Sequence, residues 1–215
     1  RGEGVLSYVR WVMVQKRDPA SPAPAAQLPE LAKVVTADSL ADHSGFSGRG
    51  YDVAMAGSAH LFEDYAAGEK IDHVDGMTVE EADHMIATRL YQNTAKVHFD
   101  QHAASGNRLG RRLVYGGHGI RLARGLSFNG LGNAQHIIAI NGGRHVAPIF
   151  AGDTVYAWTE VLETAPLPGR DDLGALRLRL VAAKNHPCSD FPGATEAHDA
   201  VVLDFDYWVA IPRRV

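Results

Sequence analysis

The chain holds one cysteine, Cys188, among 215 residues. A lone thiol closes no internal disulfide, which excludes a disulfide-framed secreted domain and makes a reducing, cytoplasmic setting the expectation. Its surroundings, "NHPCSDFPG", are turn-forming and bring no partner ligands, so Cys188 reads as a bystander. Long hydrophobic runs are missing too: no stretch approaches the roughly 18 apolar residues that a membrane-spanning helix needs. The opening "RGEGVLSYVRW" lacks the charged, apolar and small-residue order of a secretory leader. Nor is there an excess of positive charge. Twenty-one Lys and Arg stand against 25 Asp and Glu, for a net charge of −4. The basic residues are scattered, so neither nucleic acid nor a membrane is an expected partner.

What is present is ordinary for a globular protein, with 46% hydrophobic and 21% charged residues, and the length suits one large domain or a domain with an appendage. The start is odd. "GVLSYVRWVMVQKRDP", residues 4–19, is a β-branched and aromatic run that reads as one long strand, and a lone strand is not stable in water. The proline- and alanine-rich segment after it reads as an extended linker. The expected organisation is therefore a closing strand at 1–19 from a preceding domain, a linker over 20–59, and a compact domain over 60–215.

Within that domain, "MTVEEADHMIATRLYQN" combines Thr78 and Glu81 at capping-box spacing with an apolar stripe of helical period, which predicts a helix ending near Asn93. "GHGIRLARGLSFNGLG" repeats Ile120, Ala123, Leu126, Ser127 and Leu131 at helical spacing, with small residues between them that let a sheet come close. After it come only strands: "AQHIIAINGGRHV", "DTVYAWTEVLETA", "GALRLRLVAAKNH" and "AVVLDFDYWVAIP". Alternation is clearest in Leu176, Leu178 and Leu180 against Arg177 and Arg179, and turns are expected at "NGG" and "PLPGRDDLG". An apolar helix followed by long antiparallel strands predicts an α+β fold in which the sheet wraps the helix, a hot-dog roll.

Three segments in this order resemble the MaoC-like dehydratases, the R-specific enoyl-CoA hydratase family: "MTVEEADHMIATRLYQNTAKVHFDQHAA", "LVYGGHGIRLARGL" and "HVAPIFAGDTVYAWTEVLE". The resemblance covers residues 60–211. It implies a hot-dog fold, an acyl-CoA substrate, a hydro-lyase reaction without metal or redox cofactor, and a catalytic histidine after the first helix. The early strand is similar to the last strand of another such roll, which implies a tandem double hot-dog, and a single roll is expected to pair in a homo-oligomer or with a tandem partner. Within the family, "QNTAKVHFDQH" is most similar to members that act on a branched C5 diacid thioester.

Adding water across an enoyl thioester needs a base for the water, an acid for the α-carbon, and donors to the thioester oxygen. His98 is the best base and acid, because imidazole titrates near neutral pH. The family carries a carboxylate five residues before this histidine, and here that position is Asn93. Either Asn93 orients the water while His98 acts alone, or Asp100 turns in to share the work; the first reading ranks above the second. "YGGHGI" offers amides at a helix start, near the positive end of its dipole. Gly117 and Gly119 permit close approach, and His118 is a further donor or merely a packing residue. Tyr115 and Arg112 join these as substrate-binding candidates, Arg112 through its cluster with Arg108 and Arg111, suited to phosphate or carboxylate.

His98 and His102 stand at zinc-pair spacing, but no third ligand is evident and no metal is expected. "GLGNA" lacks a preceding strand for dinucleotide binding and reads as a helix stop. A thioesterase and a non-catalytic acyl-binding subunit are the alternative functions, the latter prompted by Asn93.

Overall fold

The computed structural model describes residues 7–12, 16–25, 27, 29–193 and 199–214. It divides the chain into two compact units, Arg1–Leu31 and Ala32–Val215. In the first unit a turn forms where the Asp18 carbonyl accepts from the Ser21 amide at 3.1 Å and its carboxylate from the Ala20 amide at 2.9 Å. Residues 7–12 belong to no strand ladder. The rest of the run read as a strand, apart from 16–19, falls on 1–6 and 13–15, outside the described residues.

The second unit begins well inside the segment expected to be linker. Leu40 is buried in a cluster with Leu173, Trp208 and Ala210, joined by Val35, Ala37 and Phe46. The Trp208 indole N–H donates to the Val35 carbonyl at 2.9 Å. After Pro29 no proline follows before the sheet contacts begin, and Val35, Ala37 and Leu40 are what fasten the chain to the sheet. A short helix, α1 (Val53–Ala56), is capped by the Asp52 side chain.

Among the described residues the sheet is antiparallel and holds six strands: β1 (Lys70–Asp72), β2 (Met77–Thr78), β3 (Ile137–His145), β4 (Thr154–Pro166), β5 (Leu173–Lys184) and β6 (Val201–Pro212). Their order is β1-β4-β5-β6-β3, with β2 also paired to β4. Strand alternation sorts residues onto two faces. Leu176, Leu178 and Leu180 point inward with Phe205, Tyr207 and Val209. Arg177 and Arg179 point outward and meet Asp206 and Asp204 at 2.6 and 2.9 Å. The expected "NGG" turn is not a turn. It lies within β3, where register shifts between Ile140 and Gly142 absorb the small residues as a bulge. The turn at 167–172 is as expected.

The helices that position the site are α2 (Glu81–Leu90), α3 (Gln101–Ser105) and α4 (Gly116–Leu126), the last followed by a kinked turn at Phe128–Leu131. Thr78 is not a helix cap. It sits in β2, its hydroxyl paired with that of Thr154 at 2.8 Å, and the helix starts after Glu80 without a side-chain cap. α4 is the central helix: Leu122, Ala123 and Leu126 enter the same apolar cluster as the inward faces of β4 to β6. The sheet curls around it, which is the hot-dog arrangement.

Candidate active site

α2 ends in a six-residue C-terminal lock. The Gln92 amide returns to the Arg89 carbonyl at 3.1 Å and the Asn93 amide to the Thr88 carbonyl at 3.0 Å. Gln92 takes the left-handed conformation, φ 52°, that glycine usually supplies at this position. Backbone strain of this kind gathers where a chain must be aimed. What it aims here is the loop that carries Asn93 and His98.

The Asn93 side-chain oxygen accepts from the Ala95 amide at 2.9 Å, an Asx turn that starts the 3-10 turn Lys96–His98. Its oxygen is thereby held in the loop with one lone pair still open, and its side-chain NH2 makes no hydrogen bond among the described residues. His98 is half-buried. Its Nδ1 donates to the Leu113 carbonyl at 2.8 Å, while the Leu113 amide donates to the Val97 carbonyl at 3.0 Å. Because a carbonyl can only accept, Nδ1 carries the proton, and the neutral ring presents a lone pair at Nε2. The ring packs edge-on against Tyr115 with centroids 5.7 Å apart, and Tyr115 in turn lies 6.2 Å from Tyr91.

Asp100 does not turn toward His98 as a second acid or base. It is the N-cap of α3, and its carboxylate accepts from the Ala103 amide at 2.9 Å. Aspartate is favoured there because it satisfies a donor that the helix cannot.

α4 starts at Gly116 with no side-chain cap. The His118 and Gly119 amides return to the Tyr115 carbonyl at 2.9 and 3.3 Å. The Gly116 and Gly117 amides precede any acceptor the helix can offer and so remain the donors of the first turn. Added Cβ atoms show what the glycines make room for. At Gly116 one would stand 2.4 Å from the His145 ring, at Gly117 2.6 Å from the Tyr115 ring, and at Gly119 3.0 Å from Ile149. The close approach expected of an acyl chain at Gly117 and Gly119 is instead made by the Tyr115 ring and the Ile149 side chain.

His118 is fully buried. Arg121 donates to its Nδ1 at 3.3 Å, and its Nε2 is shut off from solvent without a partner among the described residues. Burial first, then the Arg121 and His84 charges, push this imidazole down to about 4. In this setting its N–H is not open to a substrate oxygen, unlike the donor expected from the sequence. Arg112 is committed as well: its guanidinium is paired with Glu81. Arg111 donates to the Ala151 carbonyl at 2.6 Å and stacks on Phe150. The structure thus sets His98 against Tyr115 at the start of α4, with Asn93 opening the loop that carries His98, and assigns Asp100, Arg111 and Arg112 to scaffolding contacts.

Cys188 is buried away from this site, and burial pushes its thiol up to about 12, in keeping with a bystander. Among the described residues no group of three or more His, Cys, Asp or Glu could hold a metal ion, and no helix is long and apolar enough to cross a membrane. Two residues went unassigned in the sequence, His145 against the start of α4 and His84 on α2, and Glu81, expected in a capping box, instead pairs with Arg112 and His84. Their signal was faint. The face of α2 that is buried carries His84, Ala87 and Thr88, where a polar residue needs a reason, whereas Ala82, Ile86 and Leu90 of the stripe expected from the sequence are exposed.

The fold is a hot-dog roll, as the sequence motifs implied, and the chain is similar in sequence and structure to MaoC-like dehydratases. The chain is 59% identical over 215 residues to a β-methylmalyl-CoA dehydratase of Chloroflexus aurantiacus, covering 99% of this chain and 61% of that protein. It is 58% identical over 220 residues to a mesaconyl-CoA hydratase of Cereibacter sphaeroides, covering 99% of this chain and 62% of that one. It therefore spans about three fifths of the length of these curated relatives. A crystal structure of a candidate MaoC domain dehydratase from Chloroflexus aurantiacus superposes with a TM-score of 0.86 at 57% identity, over 94% of this chain and 58% of that one. A Mycobacterium tuberculosis protein with a double hot-dog fold matches at a TM-score of 0.55 and 23% identity, over 72% of this chain and 44% of that one, a likeness of fold alone. No family model matches the chain.

Proposed function

We propose that this chain carries the active site of a hydro-lyase that interconverts β-methylmalyl-CoA and mesaconyl-CoA plus water. The observation that carries the reading is His98, held by the Leu113 carbonyl so that its Nε2 lone pair is free, in a chain 59% identical to a β-methylmalyl-CoA dehydratase. In hydration, Nε2 takes a proton from water as the oxygen attacks the β-carbon. The alkene electrons move toward the thioester oxygen, where the Gly116 and Gly117 amides meet the growing charge, and the imidazolium returns the proton to the α-carbon. The Asn93 NH2 holds the water by donating to its oxygen. No redox cofactor or metal enters this scheme.

We place the enzyme in the cytoplasm and read the roll as one half of a paired assembly. β3 is an edge strand whose Ile137 and Ile140 are exposed, a surface that a second roll, in tandem or in another copy, would cover.

The test follows absorbance of the enoyl-thioester band with mesaconyl-CoA and crotonyl-CoA, comparing wild type with His98→Ala. A signal lost with His98 supports the hydratase. Release of free thiol instead would make it a thioesterase, and binding without turnover, unchanged in the variant, an acyl-binding subunit.

A further inference from the structure

The chain entering α4 is held from two sides. On one side the Leu113 amide donates to the Val97 carbonyl at 3.0 Å, and the Leu113 carbonyl accepts from His98 Nδ1 at 2.8 Å. On the other side the Val114 amide donates to the Ile149 carbonyl at 3.0 Å, and the Ile149 side chain reaches the helix at Gly119. The segment that carries Ile149 starts from His145, the last residue of β3. The His145 ring lies on the first residue of α4: its Nε2, Cε1 and Cδ2 are the atoms that an added Cβ at Gly116 would meet first. Two imidazoles therefore flank the start of the helix, His98 against Tyr115 and His145 against Gly116.

The reaction proposed above makes no use of His145. Its side chain is exposed and has no hydrogen bond or ion pair among the described residues. Burial of the edge packed on the helix lowers its pKa from the ordinary imidazole value, so at neutral pH the ring is mostly uncharged and has one N–H to donate. The nearby arginines are committed elsewhere, Arg112 to Glu81 and Arg111 to the Ala151 carbonyl. The substrate brings a demand that His98 and the glycine amides do not meet. In mesaconyl-CoA a second carboxylate is bonded to the β-carbon, the atom that water attacks, whereas crotonyl-CoA has a methyl group there. A carboxylate drawn into the site without a donor is costly.

We propose that His145 donates from Nε2 to the free carboxylate of a dicarboxylic acyl-CoA, and so selects the diacid over the monoacid thioester. This role rests on the hydratase reading of the same site. Nε2 is the ring atom nearest to Gly116, so a carboxylate bound to it lies beside the first-turn amides, where the helix dipole also favours negative charge. Lys96, exposed on the turn that carries His98, is the competing partner.

The test is the ratio of kcat/KM for mesaconyl-CoA to that for crotonyl-CoA, measured on the full chain. His145→Phe keeps a ring on Gly116 and removes the donor. The ratio should fall roughly ten- to a hundredfold, chiefly through KM for the diacid, with crotonyl-CoA affected far less. His145→Gln, which keeps an N–H donor, should retain most of the preference. Equal losses on both substrates would make His145 a packing residue, and an unchanged ratio would remove it from recognition. A ratio that falls in Lys96→Met but not in His145→Phe would give the carboxylate to Lys96. Calorimetric binding of the saturated analogues, methylsuccinyl-CoA and butyryl-CoA, does not depend on turnover. A wild-type preference for the diacid that disappears in His145→Phe supports the assignment even if neither enoyl thioester is hydrated, in which case the proposed function alone fails. Equal or absent binding of the two analogues by wild type would overturn the assignment.

Discussion

His98 is bound to Leu113 across a fifteen-residue separation, its Nδ1 donating to that carbonyl at 2.8 Å, so the tautomer of the proposed base is set by the backbone just ahead of the central helix. Removing the ring should be far more damaging than perturbing what surrounds it. His98→Ala is expected to lower kcat for hydration of mesaconyl-CoA by roughly 10²–10⁴-fold. The thermal midpoint should shift little, because the ring is only half-buried. The readout is the enoyl-thioester absorbance, with circular dichroism confirming the fold.

Asn93 has a structural half and a chemical half. Asn93→Asp keeps the acceptor for the Ala95 amide and should retain the melting temperature, whereas Asn93→Ala loses the Asx turn and about 1 kcal/mol of stability. If the NH2 orients the water, both should lose activity. An Asn93→Asp enzyme faster than wild type would show instead that a carboxylate serves as a second base.

Asp100 should behave as a helix cap. Asp100→Ala is expected to cost about 1 kcal/mol of stability with kcat within about threefold, and Asp100→Asn much less. Urea unfolding alongside steady-state kinetics checks both, and a large loss of kcat in Asp100→Asn would contradict the capping role.

Gly117 leaves room for the Tyr115 ring, which lies against His98. Gly117→Ala should push that ring aside and lower kcat/KM roughly tenfold, about 1.4 kcal/mol in the barrier. Tyr115→Ala in the same background relieves the clash, so a non-additive double variant is the expected signature.

A clamp far from the site should set acid stability. Asp42, whose carboxylate is almost wholly buried, bonds His136 and Arg170, each at 2.8 Å. Burial alone would raise its pKa, yet hydrogen bonds from Ser44 and His136 bring it down to about 2. A carboxylate depressed in the folded state stabilises above its ordinary pKa, so this contribution, about 2 kcal/mol, is lost as the pH falls from about 4 to about 2. Urea midpoints of wild type should drop across that window. Those of Asp42→Asn should start lower and change less.

Much of this was legible because it depends on short-range pattern. The period of Leu176, Leu178 and Leu180 fixed β5 and its inward face, and the helical spacing of Ile120, Ala123 and Leu126 fixed the central helix. "VHF" and "GGHG" supplied His98 and the glycine start of α4. The errors were local signals overruled by distant partners. Thr78 has capping spacing with Glu81, but pairing with Thr154 draws it into a strand. "NGG" spells a turn, but β6 runs alongside and makes it a bulge. The segment from Ala32 looks like a linker because the sheet surface that holds Leu40 comes more than a hundred residues later.

By itself the sequence determined the α+β roll and the order of its strands along the chain, because periodicity and spacing are properties of neighbours, and it pointed to the histidine and glycines of the proposed site through the resemblance. Only the tertiary structure decided which nitrogen of His98 is free, that Asp100 caps a helix, and that Glu81 is shared by Arg112 and His84. Those outcomes depend on acceptors and donors from remote segments, and a polar side chain takes its role from whichever partner the fold places within about 3 Å of it.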